Sequence, residues 1–215
     1  MKSFQQIIAE GNSLCDLIEA GQHGVAVTEL SATLSVLKQI MAHADQTEGS
    51  INASLDQCMK TKSLPVPCTG CDEENTTCPQ FVFQRPIRMP TNIGSSYNEV
   101  IFVSCIVIFN LAIAYHLQGD NESLVRALKL YELSFNLQRE QQFDNNVLFI
   151  LATVNNLGLI HKQLQDEQSS RMCFEHVLST LMYLTDCGEA NDCHLDGFFH
   201  NISSVVSQGC AAPAA

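Results

Sequence analysis

The chain has 215 residues, 46% of them hydrophobic, which suits one large or two small domains with a buried core and sets it apart from disordered polymers. Eleven Lys and Arg against 23 Asp and Glu leave a net charge of −12; such a surface repels phosphate backbones and anionic lipid, so neither nucleic acid nor membrane is an expected partner. The N-terminus MKSFQQIIAEGNSLCD has no continuous apolar core and no small-residue cleavage site, so it does not read as a secretory signal, and a cytoplasmic or nuclear location is expected.

In chain order, Phe4, Ile7, Ile8, Gly11, Leu14, Cys15 and Ile18 recur at helical intervals and Gly21 ends the pattern. After GQHG the spacing resumes with Val27, Leu30, Leu34, Leu37, Met41 and Ala44, so residues 1–45 read as a helical hairpin. Residues 46–94 hold five of the six prolines and read as an irregular insertion, because proline denies a helix its backbone donors. In its second half Phe81, Phe83, Arg85, Ile87 and Met89 alternate, and residues before proline favour extended backbone. FVFQRPIRMP is therefore expected to be an extended strip pressed onto the domain. Helices return at roughly 95–118, 121–142, 145–164, 168–185 and 192–207, with a break at Gly119-Asp120-Asn121 and Asp144 as a cap. The last of them places Leu195, Phe198, Phe199, Ile202, Val205 and Val206 on one face, as a capping helix. The tail, 209–215, matches no lipidation signal. The expectation is one all-α domain over 1–215, with two further hairpins and the capping helix in 95–208.

EVIFVSCIVIFNLAIAYHLQGD, from Glu99 to Asp120, is apolar enough to raise three possibilities: membrane span, buried strand or core helix. A span needs about 20 apolar residues, and Asn110, His116 and Gln118 fall inside that length. A single strand runs to about 5–6 residues, far shorter than this stretch. It is read as a buried helix.

Internal similarity supports that reading. NLAIAYHLQG from Asn110 matches NNLGLIHKQLQD around Asn156, and ALKLYELSF from Ala127 answers SSRMCFEHVL from Ser169. Each unit runs Asn-Leu-small, a ring three residues later (Tyr115, with His161 in its place in the later unit), then a break, then a second helix in which a small residue (Ala127, Ser170) precedes a ring (Tyr131, Phe174) by four. The first hairpin follows with NSLCDLIEAG from Asn12, then Ala26, Leu30 and Leu34. This pattern resembles the tetratricopeptide repeat over about two-thirds of the chain. The resemblance implies antiparallel hairpins stacked as a right-handed superhelix, in which small residues let paired helices approach while rings fill the gaps. Units start 46 residues apart, Asn110 to Asn156, rather than the usual 34 or so. The phrases FVFQRP, IFNLAIAYHL, NNLG and LDGFF, with the AAPAA end, also resemble a family of diatom proteins, a resemblance that implies no function.

For chemistry, Cys58, Cys68, Cys71 and Cys78 supply four thiols in the insertion, but a regular zinc site has two close pairs and only CTGC is close. Incidental thiols are expected there, with a metal site or a local disulfide as the alternatives. No metal, cofactor or catalytic residue is assigned: the histidines form no helical ligand pair, and neither a Gly-x-Ser-x-Gly elbow nor a phosphate-cradling glycine loop is present. The suggestive series is Asn12, Asn110, Asn155 and Asn156. In stacked hairpins the first helices line the concave face, where an asparagine can donate to and accept from an extended peptide backbone. In proteins of the family it resembles, equivalent asparagines contact bound peptide. The alternative is that they tie neighbouring helices or cap turns. The family's basic clamp for carboxylates is missing, since Ile106, Phe109 and Ala152 are not Lys or Arg. The expected role is thus a non-catalytic scaffold binding a protein or peptide segment through a groove lined by Asn12, Asn110, Tyr115, Asn155 and Asn156. The strip FVFQRPIRMP is a possible internal occupant of that groove. The alternatives are a structural, self-associating subunit (a homo-oligomer), or a metal-dependent regulator or enzyme using the Cys-rich loop.

Overall fold

A computed structural model describes residues 3–44, 82–141, 147–187 and 195–209. The metal candidates Cys58, Cys68, Cys71 and Cys78, the cap Asp144 and the tail from 210 lie outside the described residues, as does the first half of the insertion. Among the described residues the chain is all-helical: α1 Phe4–Glu19, α2 His23–Ala44, α3 Tyr97–His116, α4 Asn121–Gln141, α5 Val147–Gln163, α6 Glu167–Asp186 and α7 Asp196–Gly209. Two compact units are formed, Met1–Thr61 with Gln84–Thr153, and Lys62–Phe83 with Val154–Ala215, so that the division falls within α5.

In the first unit, α1 packs on α2, and α3 packs on α1, α2 and α4. The helix ends follow local chemistry. Ser3 and Gln6 form a capping box at α1, and Ser96 and Glu99 form another at α3; each satisfies amide donors that the first turn leaves open. Glu99 also accepts from the Gly94 amide, which ties the chain entering α3. α1 ends in a Schellman turn: Gln22 N donates to Leu17 O, Gly21 N donates to Ile18 O, and Gly21 takes the left-handed conformation at φ 73°.

The hydrophobic stretch from Glu99 makes up most of α3, which ends at His116. It is long and apolar enough to cross a membrane, yet 89% of its most apolar window is buried inside the protein. It packs on α1, α2 and α4 of its own unit. Phe109 meets Tyr131 edge-on at 5.7 Å and Phe149 at 4.9 Å. Ala127 and Tyr131, the expected small residue and ring, are both fully buried.

In the second unit α6 packs on α7, and Gly158 of α5 comes against α6. A Cβ at Gly158 would lie 3.0 Å from a ring carbon of Phe174 and 3.1 Å from Cys173 Cβ. The small residue after Asn156-Leu157 is therefore where the ring of the next helix presses in. The turn after α5 repeats that after α1: Asp166 N donates to His161 O, Gln165 N donates to Lys162 O, and Gln165 sits at φ 64°. One expectation needs correcting. The inward face of α7 is Phe198, Asn201 and Ile202, with Leu195 buried just before the helix, whereas Phe199 is 47% exposed; Val205 and Val206 lie beyond the side chains described.

Candidate functional site: asparagine clamps on a non-helical strip

Residues 82–90 carry no helix or strand, as two prolines within five residues dictate. In the first unit the strip is held by two asparagines of the first helices of their hairpins. Asn110 of α3, fully buried, accepts from Ile87 N at 2.8 Å and donates its amide to Ile87 O at 2.8 Å. Asn12 of α1 repeats the arrangement on Met89, accepting from its N–H at 2.6 Å and donating to its carbonyl at 2.9 Å. Each side-chain amide thus pairs with both polar groups of one backbone residue, as a neighbouring β-strand would. Pro86 and Pro90, which have no N–H to give, occupy the alternate positions.

Side chains fix the register. Ile87 and Met89 are buried, and the methyl end of Met89 lies over Gly11, where a Cβ would approach it to 2.0 Å. Between them Arg88 turns outward onto α1. Its guanidinium donates to Asn12 O at 3.0 Å, Asp16 Oδ1 at 2.6 Å and Glu19 Oε2 at 3.1 Å. These bonds, with the Asp16 contact foremost, raise the Arg88 pKa further above its ordinary value. Gln5 donates to Ile93 O at 2.7 Å and extends the seam toward α3. Cys15 lies beneath the strip: its thiol donates to Ile87 O and accepts from the Asn110 amide, each at 3.6 Å. Burial pushes this thiol up to about 12, so it is inert while covered.

In the second unit Asn156, fully buried, makes the same clamp on Phe83, accepting from its N–H at 2.9 Å and donating to its carbonyl at 2.9 Å. The Phe83 ring stacks on Phe198 of α7 at 6.1 Å. Asn155 is placed differently from its neighbour. Its amide donates to Asn156 Oδ1 and its carbonyl accepts from Asn201 at 2.7 Å, so it orients the clamp from behind. Tyr115 stands apart from both clamps: half-buried, it packs under the Arg126 guanidinium of α4, 5.7 Å from the ring centroid. The structure therefore brings Asn12 and Asn110 to one strip within the first unit, puts Asn156 and Asn155 together in the second, and assigns Tyr115 to a helix pair.

Sequence reading did not single out Arg88 with Asp16 and Glu19, nor Cys15 or Asn201. Arg85 and Arg88, close together in a chain of net charge −12, are a signal that could have led to the acid pair. Among the described residues no three His, Cys, Asp or Glu side chains cluster as a metal site would require. A scan against protein-family models, a search of curated proteins and a search of solved structures each return no match.

Proposed function

We propose that the chain is a non-catalytic, tetratricopeptide-like helical-repeat scaffold that binds an extended protein or peptide segment on the first helices of its hairpins. In this state its own strip occupies that surface. The observation that carries the reading is Asn110, fully buried, with both ends of its amide on the backbone of Ile87 at 2.8 Å. Such a contact recognises backbone rather than side chain, so it accepts any extended segment whose residue at that position is not proline. Partner binding then requires displacement of the strip, and the chain controls its own availability.

Replacing Ile87 and Met89 by proline removes the two N–H groups that the clamps accept, which loosens the strip and leaves the asparagines free for an incoming backbone. The double variant should bind peptides selected against it by display, and wild type should bind the same peptides more weakly. Adding Asn110→Ala to the variant should abolish the gain. A double variant that loses its cooperative helical fold would instead make the strip an integral part of the core and defeat the proposal.

A further inference from the structure

The asparagine clamps read backbone only, so any choice among partners rests on the side chains between them, and there the first unit is asymmetric. Ile87 and Met89 point into apolar cover, whereas Arg88 meets two carboxylates and a helix carbonyl from α1. Asp16 and Glu19 stand three residues apart, one turn of α1, and both face the same guanidinium. Three acceptors spread around one cation suit the planar fork of arginine and suit the point charge of lysine poorly. Pro86 and Pro90 bracket the triplet and hold it non-helical.

We propose, resting on the groove reading above, that the partner is a protein segment of the form apolar–Arg–apolar flanked by prolines, and that Asp16 and Glu19 are its specificity-determining residues. The chain's own PIRMP acts as a stand-in for that segment. The net charge of −12 favours approach of a cationic segment over an acidic one.

The test uses the full-length chain carrying Arg88→Glu, whose own strip is repelled by the acid pair, with Arg88→Gln as a milder variant that removes attraction without adding repulsion. Circular dichroism checks that both remain helical. The probe is a fluorescently labelled peptide of residues 84–93, QRPIRMPTNI, in versions with Arg, Lys or Glu at position 88. The Arg peptide should bind about tenfold tighter than the Glu peptide, with Lys between them. Asp16→Lys with Glu19→Lys in a chain that keeps Arg88, whose own strip the two lysines repel, should reverse the order. Alkylation of Cys15 by iodoacetamide, followed by mass spectrometry, should speed up in the Arg88 variants and slow again on adding the Arg peptide. Equal binding of the three peptides overturns the role of the acid pair and leaves the groove reading standing. Failure of every peptide to bind either variant overturns the groove reading and this inference with it. Dimerisation of the variants by light scattering, with no peptide bound, makes a second copy the occupant and overturns the proposed partner.

Discussion

Asn110 meets Ile87 with both ends of its side-chain amide, two 2.8 Å hydrogen bonds to one backbone residue at a site that water does not reach. Truncating Asn110 to alanine leaves the Ile87 N–H and carbonyl buried without that partner, at about 1–3 kcal/mol for each group. The Cys15 thiol still donates to the Ile87 carbonyl, so Asn110→Ala should destabilise the chain by less than the full sum, about 2–4 kcal/mol in urea denaturation. Asn12→Ala, at a half-exposed clamp where water can substitute, should cost about 1 kcal/mol. Asn110→Asp should be at least as damaging as alanine, because a carboxylate would face the Ile87 carbonyl. Equal losses at Asn12 and Asn110 would show that burial does not set the strength of the clamp.

Two turns with the same hydrogen-bond pattern differ in the residue at their left-handed position, Gly21 in one and Gln165 in the other. A side chain there crowds the backbone and costs about 1 kcal/mol relative to glycine. Gln165 is exposed, so its side chain offers little packing in return. Gln165→Gly should raise stability by about 0.5–1 kcal/mol, a Tm gain of about 1–4 °C for a chain of this size. Gly21→Ala should move Tm down by a similar amount. A lower Tm for Gln165→Gly would mean that the flexibility glycine adds to the unfolded chain outweighs the relief of strain.

The helices and the clamping asparagines were legible because both rest on local regularities. Apolar spacing marks helices, prolines mark the strip, and the repeated Asn-Leu-small marks one position on α3 and α5. What escaped is non-local. Phe198 and Phe199 are adjacent in sequence and thus about 100° apart around a helix, so both cannot face inward. Hydrophobicity alone does not choose between them. The choice follows from Asn201, which turns toward Asn155 and brings Phe198 onto Phe83, leaving Phe199 outside. Asn155 looked equivalent to Asn156, but its neighbours were hidden until the fold brought Asn201 across 46 residues. Arg88 and Asp16 are 72 positions apart, and no periodicity links a charge in an insertion to a helix surface that far away.

Gly158 tests the small-residue part of the repeat. Alanine there gains about 1 kcal/mol of helix propensity, against a Cβ placed 3.0–3.1 Å from Phe174 and Cys173. Phe174 is 2% exposed and has little room to yield. The two effects should nearly cancel, so Gly158→Ala should lie within about 1 kcal/mol of wild type. Gly158→Leu cannot be accommodated and should cost about 3 kcal/mol or more by forcing α5 from α6. A leucine variant as stable as wild type, measured by chemical denaturation, would show that the close approach is not required.

His116 carries the clearest pH dependence. It is 5% exposed at the end of α3, neither ring nitrogen is hydrogen-bonded, and its ring stands edge-on to Tyr131 at 6.0 Å. A helix C-terminus favours imidazolium, but burial outweighs it and lowers the pKa from 6.5 to about 4. The sign follows from proton counts. Below pH 6.5 the unfolded chain binds a proton that the folded chain refuses until about pH 4. His116 therefore has no pH-dependent effect above 6.5 and draws stability down as pH falls from 6.5 to 4, by about 3 kcal/mol in all. His116→Phe keeps the ring contact and removes the titration. Relative to wild type, the variant should gain about 2 kcal/mol in urea denaturation on moving from pH 7.5 to pH 5.0, because other titrating groups cancel in the difference. Parallel pH profiles for the two proteins would mean that His116 takes up its proton in the folded state as readily as in the unfolded one, and that this end of α3 opens to water.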